Sequence, residues 1–294
     1  MRSLLFVPAD AEKKLAKAME CGADAVIVDL EDSISADRKD SARAAAAEFV
    51  AAVSEWPTRP RILVRVNGLE TGLTDLDLDA VIPARPDAVM LPKAEGGQAV
   101  IHLDAKLAVR EAVAGLSDGH VTVYAIATET AASLFVAGSY RASSRRLAGL
   151  TWGAEDLAVE LGAEQNRDAD GRFLDAFRLA RALCLAAAAS ARVQAIDTVA
   201  VDFRDEAKLR RECEEARRDG FTGKMAIHPD QVPVINTVFT PTAEAVEKAR
   251  AIVEAFAAQP GAGVVGLGGV MFDRPHLARA QALLARMKEI EEAV

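Results

Sequence analysis

Cysteine is scarce in this sequence: Cys21, Cys184 and Cys213 are the only three in 294 residues, and they show neither paired nor metal-ligand spacing. An odd, scattered set excludes a disulfide framework and predicts reduced thiols in a cytoplasmic protein. Aromatic residues supply only 5% of the chain while apolar residues make up 51%, so the core is aliphatic and alanine-rich. Positive charge is also short, with 35 Lys and Arg against 44 Asp and Glu for a net charge of −9. That balance argues against a broad nucleic-acid or anionic-membrane surface, and an anionic substrate then needs a local basic site. Long apolar runs are missing as well. The run over 4–7 stops at Pro8, too short for a signal-peptide core. The stretch over 182–191 lies between Arg181 and Arg192; it falls well short of the roughly 20 residues of a membrane span and predicts a buried helix.

What the chain does have is alternation. Strand-like apolar runs occur over 3–7, 25–29, 62–66, 88–91, 121–127, 147–152, 195–201 and 224–227. Between them lie segments such as 12–21, 37–53, 101–116 and 206–219, whose apolar residues recur every three to four positions. Eight strands alternating with helices predict a (β/α)₈ barrel over 1–235, with an open doubly wound sheet as the alternative. The remainder, 236–294, predicts a helical extension or lid: a helix over 241–258, a glycine-rich flexible passage over 259–270 and a last helix over 274–290.

Acidic groups mark two strand ends. The sixth apolar run stops at Gly153-Ala154-Glu155-Asp156, and the fifth stops at Thr128-Glu129-Thr130. If the strands are parallel members of one barrel, Glu129 and Asp156 project from the same carboxyl-terminal rim, where barrel enzymes carry their active sites. Two carboxylates with room for water and substrate oxygens suit Mg²⁺, which keeps several waters and takes few protein ligands. Other strand ends are polar too: Asp29-Leu30-Glu31-Asp32 at the second, Arg65 within the third, Lys93 after the fourth and His228 after the eighth. Each alone has a structural reading as a helix cap, an ion pair or a solvated rim charge. Around a full circle they describe a site.

The segments RSLLFVPA, VDLEDS, VRVNG, MLPKAE, Glu129-Thr130, WGAEDL, GKMAIHPDQ and MFDRPHLARA follow one another in the order found in the citrate lyase β-subunit-like family, within the HpcH/HpaI aldolase and malyl-CoA or citramalyl-CoA lyase group, which the chain resembles over essentially its whole length. The resemblance implies a Mg²⁺-dependent carbon–carbon lyase that converts a 3-hydroxyacyl-CoA to acetyl-CoA and a 2-oxo acid. It implies Glu129 and Asp156 as metal ligands and Arg65 as the group that binds the 2-oxo acid carboxylate, helped by the amides of Ala154 and Glu155. It places Asp29, Glu31 and Asp32 around metal-bound water. Arg2 and Lys17 are implied for the CoA phosphates, and Ile227, His228 and Pro229 for the CoA side. Asp273 is implied as the proton-transferring carboxylate, delivered by an adjacent subunit of a homotrimer or hexamer, although the sequence D-R-P-H around it equally describes a helix N-cap. Thr128 stands where relatives commonly carry an aliphatic residue. The alternatives are a citrate lyase β subunit acting on a carrier-bound acyl group, an aldolase acting on free 2-oxo acids, and a non-catalytic metabolite-binding barrel.

Overall fold

The computed structural model describes residues 1–292. Its first unit, Met1–Asn236, is built on β1 (Ser3–Pro8), α1 (Glu12–Ala18), β2 (Ala25–Asp29), α2 (Lys39–Val53), β3 (Arg61–Arg65), α3 (Thr74–Val81), β4 (Ala88–Leu91), α4 (Gly97–Val113), β5 (Thr122–Ile126), β6 (Leu147–Thr151), α5 (Ala154–Glu160), α6 (Asp175–Ala191), β7 (Gln194–Asp197), α7 (Glu206–Asp219) and β8 (Gly223–Ala226). The eight strands pair in sequence order, all parallel, and β8 returns to β1 to close the barrel. After β5 the connection is two 3₁₀ turns, Ala132–Phe135 and Ala137–Tyr140, in place of an α-helix.

Side-chain alternation explains the closure. Leu4, Ile27, Leu63, Met90, Tyr124, Ile126, Ile196 and Met225 pack together inside the barrel, while their neighbours along each strand face the helices. Tyr124 is the largest of these, and Gly149 makes room for it: a Cβ at Gly149 would stand 2.4 Å from the ring. The apolar stretch over 182–191 forms the second half of α6, with Cys184, Ala187 and Ala188 buried. Among the described residues no helix is long and apolar enough to cross a membrane.

From Thr237 onward the chain forms a second unit. α8 (Val232–Phe239) leads into it, and α9 (Ala243–Ala257), β9 (Val264–Leu267), β10 (Val270–Asp273) and α10 (Arg274–Glu292) follow. The passage over 259–270, expected to be flexible, is instead largely a β-hairpin in which β9 and β10 pair antiparallel from Val270↔Leu267 to Asp273↔Val264. Gly268 and Gly269, both at positive φ, make the two-residue turn whose twist matches the strands. Val265 and Phe272 from the hairpin pack with Ile252 and Phe256 of α9 and Ala280 of α10, giving this unit its own core.

Candidate active site

Parallel strands carry their carboxyl ends to one rim, and the acids predicted there meet at that rim. Glu129 lies just beyond β5 and is only 2% exposed. One of its oxygens accepts a hydrogen bond from the backbone N–H of Lys93. Thr128, next to it, donates from Oγ1 to the carbonyl of Ala180 at 3.1 Å, tying the strand end to α6. Gly153 has no side chain for a positional reason: a Cβ there would lie 2.7 Å from Glu129 Oε2 and 2.9 Å from its Cβ. The turn at Gly153 thus closes on Glu129, and α5 begins directly after it with Glu155 and Asp156 in its first turn. The two acids part company there. Glu155 accepts a hydrogen bond from Asn166 Nδ2 at 2.8 Å, whereas Asp156 Oδ1 lies 3.4 Å from Lys93 Nζ.

The second strand end supplies the other half. Asp29 grips Arg65 with two 2.7 Å hydrogen bonds, to Nε and Nη2. Burial raises the Asp29 pKa, but this pairing outweighs it and holds the carboxyl below the usual range. Arg65 Nη1 is left facing Glu31 at 2.8 Å and Asp32 at 3.6 Å. Glu31 also accepts from Lys93 Nζ at 2.5 Å, yet its Oε2 makes no hydrogen bond among the described residues. The Arg65 contact therefore acts through charge more than through directed donation. Lys39 fixes the main chain of this turn, its ammonium donating to the carbonyls of Leu30 and Glu31 at 2.7 Å each and to Asn67 Oδ1 at 2.8 Å. Asn67 in turn is held by the buried Asp77, which Arg43 also engages. Sequence reading did not single out Lys39, Asp77 or Arg43, because three charges on two helices carry no local signal of a shared network.

Two carboxylates are pushed toward their neutral forms. Burial lifts Glu129 from 4.5 to about 8, with Asp156 and Glu31 adding to the rise and the Lys93 amide opposing it. Burial likewise lifts Glu31 to about 7 despite Arg65 and Lys93. Such groups are stabilised as anions by an added cation. Among the described residues no three His, Cys, Asp or Glu side chains are disposed as a complete metal cage. The all-oxygen pair of Glu129 and Asp156 fits an ion that fills its remaining positions with water and substrate, as Mg²⁺ does.

The remaining expected residues divide by location. Ile227, His228 and Pro229 follow β8 at the same rim. His228 caps the 3₁₀ turn Pro229–Gln231 and stacks on Phe203 with ring centroids 4.5 Å apart. Arg2 departs from expectation. It precedes β1 at the amino-terminal mouth, opposite the rim, and its guanidinium is engaged by Asp24 at 2.7 and 3.0 Å. Lys17 is exposed on the last turn of α1. Asp273 belongs to the second unit, where it accepts from the backbone N–H of His276 at 3.3 Å and contacts that ring's Nδ1. The capping geometry suggested by D-R-P-H is therefore present. The His276 side chain, aided by its backbone N–H, holds the Asp273 carboxyl below the usual range.

The barrel has counterparts among known proteins. Residues 2–229 match the family model described as HpcH/HpaI aldolase/citrate lyase, and residues 173–289 match a carbon–carbon bond lyase of the TIM-barrel fold. The chain is 36% identical to the citrate lyase subunit beta of Haemophilus influenzae, across 98% of this chain and 97% of that protein. It is equally 36% identical to the (3S)-malyl-CoA thioesterase of Cereibacter sphaeroides, across 98% and 95%. In structure it resembles the protein CitE from Mycobacterium tuberculosis in complex with magnesium, acetoacetate and coenzyme A, with a TM-score of 0.77, 34% identity and 98% of each chain covered.

Proposed function

The chain belongs to the HpcH/HpaI aldolase/citrate lyase family, and from that premise we propose that it is a Mg²⁺-dependent carbon–carbon lyase acting on a 3-hydroxyacyl-CoA such as citramalyl-CoA or malyl-CoA. The products are acetyl-CoA and a 2-oxo acid, pyruvate or glyoxylate. The observation that carries this reading is the joining, at one rim, of Asp156 and the buried Glu129, whose charge burial opposes, with an arginine oriented by Asp29.

Glu129 and Asp156 would hold the ion, which when bound supplies positive charge against the oxygen on which negative charge gathers. The protein's own groups do the rest. Asp29 occupies Nε and Nη2 of Arg65, so the Nη1 edge, now facing Glu31 and Asp32, is the one offered to the 2-oxo acid carboxylate. A guanidinium held in this way orients its ligand as a lysine would not. Amides of Ala154 and Glu155 at the start of α5 add donors on the other side. Glu31 and Asp32 accept hydrogen bonds from water near the carboxylate pair. Cleavage turns the 3-hydroxyl into the carbonyl of the 2-oxo acid with release of its proton, and leaves the bonding electron pair on the α-carbon of the thioester, which takes up a proton. Asp273, ionised at rest beside His276, is the carboxylate that removes a proton from that carbon in the condensing direction and passes it to the new alkoxide; in the cleaving direction it takes the hydroxyl proton and passes it to the carbon. We assign its delivery to a neighbouring copy in a homotrimer or hexamer. Ile227, His228 and Pro229 border the CoA side, and Lys17, on the last turn of α1, is the remaining candidate for its phosphates.

The equal identity to citrate lyase subunit beta supports a second reading, in which the acyl group rides on a carrier protein. Asp156→Ala tests the metal chemistry common to both. Activity on citramalyl-CoA or malyl-CoA should fall by about a thousandfold or more while the circular dichroism spectrum stays that of the wild type. Retained activity would remove the metal assignment.

A further inference from the structure

We propose that Lys93 is a tethered counter-cation that holds Glu31 and Asp156 together in the metal-free protein and competes with a divalent ion for Asp156, so that it keeps metal binding weak and reversible. This rests on the reading of Glu129 and Asp156 as the metal pair.

Three observations converge on Lys93. The first is its position: the ammonium lies 2.5 Å from Glu31, 3.4 Å from Asp156 and 3.8 Å from Asp32. Five carboxylates, those of Asp29, Glu31, Asp32, Glu129 and Asp156, gather here with Arg65, Lys39 and Lys93; Arg65 is committed to Asp29, and the Lys39 ammonium to the carbonyls of Leu30 and Glu31 and to Asn67. Among the described residues, no other ion pair to Asp156 is found.

The second observation is the backbone. Lys93 sits at φ +51, the left-handed region that an L residue with a long side chain adopts only when its surroundings impose it. The surroundings do so on both sides. Its own N–H is bound to Glu129, Ala94 N–H donates to the carbonyl of Ile126 at 3.3 Å, and the Ala94 carbonyl accepts from the Tyr140 hydroxyl at 2.8 Å. One residue therefore touches Glu129 through its main chain and Glu31 and Asp156 through its side chain. The third observation is Glu31 Oε2, buried without a hydrogen bond, which leaves the lysine as the donor this carboxylate actually uses.

The residue type suits the role. An ammonium is a compact charge on a flexible stem, able to leave one carboxylate while keeping another, whereas the planar fork of an arginine is fixed once paired. An ammonium and a dication on the same carboxylate repel each other, so removing the ammonium strengthens the hold on the ion. Lys93 is a positioning residue: it acts through Glu31 and Asp156.

The test is a Mn²⁺ titration followed by electron paramagnetic resonance, on wild type, Lys93→Met, Lys93→Arg and Glu129→Gln, with thermal melting in the absence and presence of the ion. Lys93→Met keeps the chain length and the amide that binds Glu129. It should bind Mn²⁺ about tenfold more tightly than wild type while melting at a lower temperature without metal, a difference that the ion erases. Lys93→Arg keeps the charge and should stay within about threefold of wild-type affinity. Unchanged or weaker binding by folded Lys93→Met, or equal tightening in Met and Arg, overturns the inference while leaving the metal pair standing. Should Glu129→Gln bind Mn²⁺ as wild type does, the metal pair itself falls and the inference with it.

Discussion

Glu129 is a carboxylate whose surroundings oppose its charge, and the consequence is measurable without substrate. Its pKa in the folded protein, about 8, stands above the 4.5 of an exposed glutamate because burial penalises the anion. Between those two values the folded state holds a proton that the unfolded state has released. Metal-free protein should therefore lose stability as pH rises from about 5 to about 8. A bound divalent ion removes the trend, since it requires the ionised form. Denaturant midpoints across this range should fall for the metal-free wild type, flatten with saturating Mg²⁺, and fall less steeply without metal in Glu129→Gln, where Glu31, lifted to about 7, keeps its share; a wild-type slope of opposite sign would refute the account of Glu129. The position of this residue was legible in the sequence because a strand that ends in Thr-Glu-Thr can only present its glutamate at a rim. The contacts of Lys93 were not legible. They depend on a left-handed backbone angle set by Ala94 and Tyr140, residues whose partners lie on other elements. Arg65 carried two readings in sequence, ion pair and substrate clamp; the structure shows the ion pair with Asp29, and the clamp is the role proposed for the remaining Nη1 edge.

At the scale of elements, the site depends on how tightly β6 and α5 close on β5. Gly153→Ala should be a sharp probe of that closure. Its backbone, at φ −121 and ψ 113, is open to any residue, so the only obstacle is the 2.7 Å approach to Glu129. We expect metal affinity and turnover to drop by about tenfold or more, with a stability loss of only about 1–3 kcal/mol from local overpacking; full activity in Gly153→Ala would mean that Glu129 has slack the structure does not show. Strand identity came easily from sequence: the eight runs fall on the eight strands with ends displaced by a few residues, because each is short, apolar and bounded by turn formers. Helix boundaries were harder, as where 12–21 shortens to Glu12–Ala18 and 37–53 divides into a 3₁₀ turn and α2. The hairpin β9–β10 was missed for a physical reason. Its glycines were weighed as a sum, signifying flexibility, when the adjacent pair Gly268-Gly269 flanked by apolar residues signifies a tight turn.

At the scale of the whole molecule, the chain comprises a barrel unit that holds the charged rim and a second unit that holds Asp273. The assignment of Asp273 to a neighbouring copy's reaction can be tested by complementation. Arg65→Ala and Asp273→Asn should each be nearly inactive alone, and co-refolded mixtures should recover activity, up to about a quarter of wild type if each site draws on two chains at random. Mixed assemblies with no recovery would place both residues' work within one chain. The fold was legible because alternation repeated over 235 residues leaves few topologies. The choice of acyl-CoA was not, since pyruvate and glyoxylate differ by one methyl, a difference of about 1–3 kcal/mol set by packing. The measurement that bears most directly on the whole account is product analysis by mass spectrometry, after incubation with citramalyl-CoA, malyl-CoA and 3-hydroxy-3-methylglutaryl-CoA in Mg²⁺ and again in chelator. The account predicts acetyl-CoA and one 2-oxo acid from citramalyl-CoA or malyl-CoA, formed with Mg²⁺ and lost with chelator. Folded, metal-loaded protein that releases no acetyl-CoA from any of them would contradict it.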